Sequence, residues 1–270
     1  MTDWQTHNAS GIEYLERPGS GPVLVLLHGI GSQAASFTPL LAHLPADWRM
    51  IAWNAPGYGA SGPLAQDWPQ AADYARALTG LLDTLGVNRI LLAGHSLGAL
   101  VAASFASTHG GRVARLLLAS PALGHGVTPG LALSTAAQTR IDELTQMGAD
   151  AFARARAARL VHDPDTHPDV VEMVRRAMAQ VSLPGYAQAA RMLASGRLLD
   201  DAERLVVPTD VIVGEEDRVT PPEGAGHAHA ALRDAARGRL IRVPGAGHAL
   251  YQQAPAAFAE ALAALVEPAR

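Results

Sequence analysis

Ser96, His248 and one carboxylate from the turn Glu215-Glu216-Asp217 are the residues here whose types and order could do chemistry. Ser96 lies in Gly94-His95-Ser96-Leu97-Gly98, after the apolar run Ile90-Leu91-Leu92-Ala93 and before a small-residue helical segment at 99–106. A serine flanked by glycines at a sharp strand-to-helix turn is lifted clear of a sheet, and the N–H groups that follow it open a helix. Its hydroxyl is a weak nucleophile near neutral pH, so it needs an adjacent base, and the base needs an orienting carboxylate. The apolar run Asp210-Val211-Ile212-Val213 ends in the acidic turn, and Leu240-Ile241-Arg242-Val243 leads through a glycine-rich loop to His248. The order is serine, acid, histidine, each at the end of a strand. Those three groups, brought together, suit nucleophilic attack on a carbonyl carbon.

The elements that must position these groups can be read from periodicity. Strands are predicted at 12–17, at an edge, and at 23–27, 50–53, 90–93, 115–119, 211–213 and 240–243. Helices are predicted at 34–44, 67–85 and 256–265. The second places Ala71, Tyr74, Ala75, Leu78, Leu81, Leu82 and Leu85 on one side and stops at Gly86. Alternating strands and helices imply a mostly parallel sheet covered on both faces, an α/β fold. The alternation stops between residues 121 and 207, where only helical stretches occur, around 133–147, 149–160, 170–180 and 186–193. The division is therefore 1–120 and 208–270 as the core and 121–207 as an insertion. Nearly half of the 270 residues are hydrophobic, the net charge is −4, and cysteine and lysine are absent. No basic run supports nucleic-acid binding, and thiol chemistry is unavailable. Residues 1–11 are polar and the longest apolar run is short. The expectation is therefore a cytoplasmic protein with no secretory signal and no membrane partner.

Four motifs together resemble the α/β-hydrolase superfamily: His28-Gly29-Ile30-Gly31, Asn54-Ala55-Pro56-Gly57-Tyr58-Gly59, the turn at Ser96, and the Asp217 and His248 loops. Within it the chain is similar to small bacterial esterases, enol-lactonases and meta-cleavage-product hydrolases. The resemblance implies an α/β-hydrolase fold whose insertion is a helical lid, and it favours Asp217 over Glu215 and Glu216 as the acid. Leu97 supplies one oxyanion N–H from the turn, and the resemblance places the other at Ile30, with Gly31 as the alternative. Each such donor is worth about 2.7–4 kcal/mol in related chemistry. Asn54 is a departure, because relatives often carry Asp there; the change reads as structural.

The implied activity is serine hydrolysis of a small acyl substrate, a carboxylic ester or lactone, with no cofactor. One alternative is carbon–carbon bond hydrolysis of a vinylogous diketone by the same groups, assisted by polar residues near the oxyanion loop, for which Ser32 and Gln33 are the candidates. Another, of a different class, is a catalytically inactive ligand-binding scaffold. His28 and His95 read as loop-holding side chains. His162, Asp163, Asp165 and His167, and the pair His227 and His229, resemble metal ligands but fit a solvated turn and a helix, so no metal is expected. Arg191 lies on the apolar stretch 186–193, where an inward guanidinium would be costly unless it met an anion. The alternatives are exposure to solvent or pairing with Asp200 or Asp201.

Overall fold

Side chains along a strand alternate in direction, and the short run Val23–Leu27 sets the layers by that rule. Leu24 and Leu26 enter one hydrophobic core with Phe37, Leu250, Phe258 and Leu262. Val25 and Leu27 enter the other with Tyr74, Leu78, Leu100 and Phe105. A strand buried on both faces needs apolar residues throughout, which is why this one reads Val-Leu-Val-Leu-Leu.

The computed structural model describes residues 4–266. Its strands are β1 (Gln5–Ala9), β2 (Ile12–Arg17), β3 (Val23–Leu27), β4 (Arg49–Trp53), β5 (Ile90–His95), β6 (Val113–Ala119), β7 (Thr209–Gly214) and β8 (Arg237–Val243). They form one eight-stranded sheet in the order β1-β2-β4-β3-β5-β6-β7-β8. Pairing is antiparallel for β1–β2 and β2–β4 and parallel from β4 onward. The helices are α1 (Ala71–Thr84), α2 (Leu97–Thr108), α3 (Thr135–Arg156), α4 (Pro168–Met178), α5 (Gly185–Ser195), α6 (Leu198–Ala202), α7 (Pro222–Ala231), α8 (Leu250–Gln253) and α9 (Pro255–Ala263). Helices α1, α2 and α7 share one core, while α8, α9 and a 3-10 stretch at Ala34–Ala42 share the other. No helix among the described residues is long and apolar enough to cross a membrane.

Three of the departures from the sequence reading have a local cause. Strand β2 is not the edge: the polar run Gln5–Ala9 pairs outside it. The two join through Ser10 (φ 52°) and Gly11 (φ 75°), a tight hairpin turn that needs two positive φ values. Helix α1 begins at Ala71, because Pro69 disfavours helix at Trp68. Its end follows the expected glycine: Gly86 takes φ 63°, while its N–H and that of Val87 reach back to the carbonyls of Asp83 and Leu82. The stretch after β3 is 3-10 rather than α, with Pro39 inside it.

Between β6 and β7 the chain runs through α3, α4, α5 and α6 with no strand. Helix α3 is kinked at Gly148, whose φ is 75°. The insertion meets the core backbone to backbone at Gly185, which lies on Gly57, and its own two ends meet at Gly124 and Gly196. A methyl group on Gly57, Gly185 or Gly124 would overlap the partner's main chain, and one on Gly196 would press on the Leu100 side chain of α2.

Asn54, at the end of β4, is 4% exposed and bonds in two directions. Its Oδ1 accepts from Ala34 N–H at 2.8 Å, and its amide donates to the Glu13 carboxylate, which also accepts from Ala60 N–H. An Asp there would set two carboxylates against each other, which gives the departure at residue 54 a structural reason. Asn54→Asp should therefore cost about 1–3 kcal/mol in denaturant unfolding, and adding Glu13→Gln should recover most of it by restoring a donor. Equal stability of the single and double variants would show that the pair is not coupled.

Candidate active site

The turn after β5 works because its glycines let three backbones meet. A Cβ on Gly94 would collide with Gly98, and one on Gly98 would collide with the carbonyls of Leu27 and His28 at the end of β3. Ser96 itself takes φ 53°, ψ −114°, a conformation that non-glycine residues rarely adopt. Two contacts hold it there: Ser96 N–H donates to Ala119 O at 2.9 Å, and Ala122 N–H donates to Ser96 O at 3.2 Å. The side chain is thereby fixed above the sheet at the start of α2.

Ser96, His248 and Asp217 form one hydrogen-bonded chain. Ser96 Oγ lies 3.1 Å from His248 Nε2, and His248 Nδ1 lies 2.8 Å from Asp217 Oδ2. All three are buried. The carboxylate accepts the Nδ1 proton, which leaves Nε2 free to accept from the serine hydroxyl. Asp217 Oδ1 in turn accepts from Val219 N–H at 2.8 Å and Thr220 N–H at 2.9 Å. Burial alone would raise its pKa. The hydrogen bond and charge of His248 and these two N–H groups overcome that and hold it down at about 2. Glu215 and Glu216, two and one residues earlier, are exposed. Such a chain can take a proton from Ser96 as the oxygen attacks an electrophile.

The loop after β3 lies beside this chain. Gly29 faces Ser96 Cβ with little room for a side chain, and Tyr58 Oη donates to Ile30 O at 2.8 Å, which fixes the Ile30 peptide. Neither Ile30 N–H nor Leu97 N–H donates in a turn, loop or cap bond among the described residues, and the first N–H groups of a helix lack intrahelical partners. Both histidines nearby are structural in their contacts. His28 Nδ1–H donates to Gly29 O at 2.8 Å while Nε2 accepts from Ala55 N–H at 3.1 Å, so the ring must be neutral, and burial pushes its pKa down to about 4. His95 Nε2–H donates to the carbonyl of His248 at 2.8 Å. Burial, and then the charge of His248, push its pKa well below the ordinary imidazole value.

A cavity of about 870 Å³ opens over Ser96 and His248, floored by the β3, β6 and β8 loops and walled by the insertion. Ser32 lines it, with its hydroxyl 2.8 Å from Tyr251 Oη. Gln33 does not; it is the N-cap of the 3-10 stretch. Arg191 is also outside the lining, and its Nη1 donates to Asp67 O at 3.0 Å. Neither sequence alternative for it holds in full, since Asp200 and Asp201 pair with Arg197 and Arg204.

Two residues that sequence reasoning missed support the site. Thr220 adds a hydroxyl 3.0 Å from Asp217 Oδ2 to its backbone bond; the Asp-x-x-Thr spacing is a local turn signal that could have found it. Gln253 joins the insertion to the histidine loop. Its Oε1 accepts from Gly247 N–H and His162 N–H, both at 3.0 Å, and its Nε2 donates to His162 O at 2.8 Å. Ala249 N–H adds a bond to Leu160 O at 2.8 Å. No short-range pattern marks these contacts.

Residues 24–261 match the Alpha/beta hydrolase family, and the chain belongs to it. Among its relatives, the (E)-2-((N-methylformamido)methylene)succinate hydrolase of Acinetobacter baylyi is 27% identical, covering 97% of both chains. The magnesium-chelatase 30 kDa subunit of Rhodobacter capsulatus is 31% identical over 88% of this chain and 84% of its own. The enol-lactonase from Burkholderia xenovorans LB400 shares the fold with a TM-score of 0.83, at 23% identity, over 97% of this chain and 99% of that one.

The depressed pKa of Asp217 makes a prediction about stability. A carboxylate at about 2 in the folded protein and 3.8 when unperturbed stabilises the fold fully above pH 4 and loses that contribution as pH falls toward 2. Wild type should exceed Asp217→Asn by about 2 kcal/mol in denaturant unfolding at neutral pH. The gap should close between pH 4 and pH 2. A gap independent of pH would show that the carboxylate's charge is not what stabilises.

Proposed function

We propose that the protein is a serine hydrolase that cleaves a carboxylic ester or lactone through an acyl-enzyme. The observation that carries this reading is the hydrogen-bonded chain from Asp217 through His248 to Ser96 on the floor of the cavity. In this mechanism Ser96 Oγ attacks the carbonyl carbon as its proton passes to His248 Nε2. The oxyanion is stabilised by the N–H groups of Ile30 and Leu97. The carbon–oxygen bond to the leaving group breaks, and imidazolium returns the proton to the departing oxygen. Water then attacks the acyl carbon, giving its proton to His248, and the acid leaves as Ser96 is re-protonated. Asp217 keeps the imidazole in the required tautomer and stabilises its cation. The helical insertion acts as a lid over the cavity and limits which acyl compounds fit.

Direct acyl transfer is favoured over carbon–carbon cleavage by the placement of Ser32 and Gln33. Gln33 lies outside the cavity lining, and the Ser32 hydroxyl is shared with Tyr251, so the two polar residues beside the β3 loop are poorly placed to assist ketonisation of a diketone.

A fluorophosphonate probe should label wild type at Ser96 and leave Ser96→Ala unlabelled. Ester turnover should fall at least about 10³-fold in Ser96→Ala and His248→Ala, because the members of such a chain act as a unit. Asp217→Asn should fall by up to about 10⁴-fold. Glu216→Gln should stay close to wild type, and EDTA should leave turnover unchanged. An unlabelled wild type would favour an inactive scaffold, and a severe Glu216→Gln defect beside a mild Asp217→Asn one would reassign the acid.

A further inference from the structure

The insertion brings charge into the cavity for which acyl transfer at Ser96 has no use. Four of the charged residues on its lining, Arg159, Asp163, Glu216 and Arg218, are exposed and balance in sign. The remaining two, Arg140 and Arg156, are both cations and both partly buried, and they come from opposite sides of the Gly148 kink in α3. The kink brings them to one aromatic patch. The Arg156 guanidinium lies 4.7 Å from the centre of the Phe152 ring, and that ring meets Tyr186 edge-on at 5.4 Å. Burial raises the pKa of the Tyr186 phenol, and Arg140 and Arg156 both pull it back, which sets both cations near its ring.

The two cations are served by a single acid. Glu143 pairs with Arg156, whose Nε is nevertheless buried with no hydrogen-bond partner. Arg140 makes no hydrogen bond or ion pair among the described residues. It stands where the cavity joins a side chamber of about 160 Å³, and Ile30 lines both spaces. Partly desolvated guanidinium groups are costly unless they meet an anion, and their planar donor array suits a carboxylate. Two positive charges against the one of Glu143 leave a single positive charge, which matches a monoanion better than a phosphate dianion.

We propose that Arg140 and Arg156 form an anion subsite, and that the substrate is an ester or lactone bearing a carboxylate away from the scissile carbonyl. The words "ester or lactone" rest on the serine-hydrolase reading above; the subsite does not. Binding by Ser96→Ala protein separates the two ideas, because it needs no turnover. Calorimetry would compare the monomethyl and dimethyl esters of succinate, glutarate, adipate and phthalate. At least one charged monoester should bind about tenfold or more tightly than its neutral diester. Arg140→Met and Arg156→Met, each in the Ser96→Ala background, should lower that preference about tenfold, a loss of 1.4 kcal/mol. Arg191→Met should not change it.

Arg156 also packs on Phe152, so retained thermal unfolding is required of its variant, and Arg140→Met decides the matter if that variant fails to fold. No charge preference anywhere in the series, or a preference that survives Arg140→Met, overturns the subsite. Inorganic phosphate displacing the monoesters at lower concentration than acetate overturns its assignment to a carboxylate. A charge preference in a protein whose Ser96 resists the fluorophosphonate probe would keep the subsite and remove the hydrolytic reading.

Discussion

The close approach of Gly98 to the carbonyls of Leu27 and His28 is the contact on which the rest of the active face depends. It brings the start of α2 against the end of β3 with no side chain between them. The serine at the turn and the loop carrying Ile30 then become neighbours. The backbone at Ser96 is strained by about 1–3 kcal/mol, a cost offset locally by its bonds to Ala119 and Ala122 and globally by the cores on either side of the sheet. One geometric condition therefore serves three purposes: it seats the Ser96 hydroxyl on the cavity, leaves the Leu97 N–H without a turn, loop or cap partner at the start of α2, and brings the β3 loop alongside.

Electrostatics divides the buried imidazoles into two kinds. His28 is locked neutral by donating from one nitrogen and accepting at the other. His95 lies with its ring centre 4.8 Å from that of His248, and its burial, then the charge of His248, favour its neutral form. Donation from His95 to the His248 carbonyl converts this neutral ring into a support for the loop. Among the described residues, the only buried imidazole with a carboxylate partner is then the one that faces Ser96.

The sheet, the serine turn, and the order of acid and histidine were legible in the sequence because each rests on local chemistry: apolar alternation, glycine where backbones touch, and loops at strand ends. Strand β1 was not, because Gln5–Ala9 is an edge with little to bury, so it carries no apolar signal and only its Ser-Gly turn betrays it. The contact of Gln253 with His162 joins residues 91 positions apart, and no periodicity encodes such a meeting. The arginines show the same limit in another form. Helix α5 is buried over most of its surface, so its composition could not say which side of Arg191 looked inward. The partly buried arginines that do line the cavity, Arg140 and Arg156, come from α3, on either side of a single glycine kink that is invisible in the apolar pattern.

The insertion is pinned to the core at two separate places, at Gly57 and Gly185 beneath α5 and through Gln253 at the 160–162 segment, while Gly124 and Gly196 close its two ends on each other. A cover fastened in this way cannot swing off as a single flap without tearing main-chain contacts at every fastening, one of which holds the loop of His248. On the proposed reading, a substrate would enter by breathing within the spans between fastenings. The longest of these carries α3, so the stretch freest to move also bears Arg140 and Arg156.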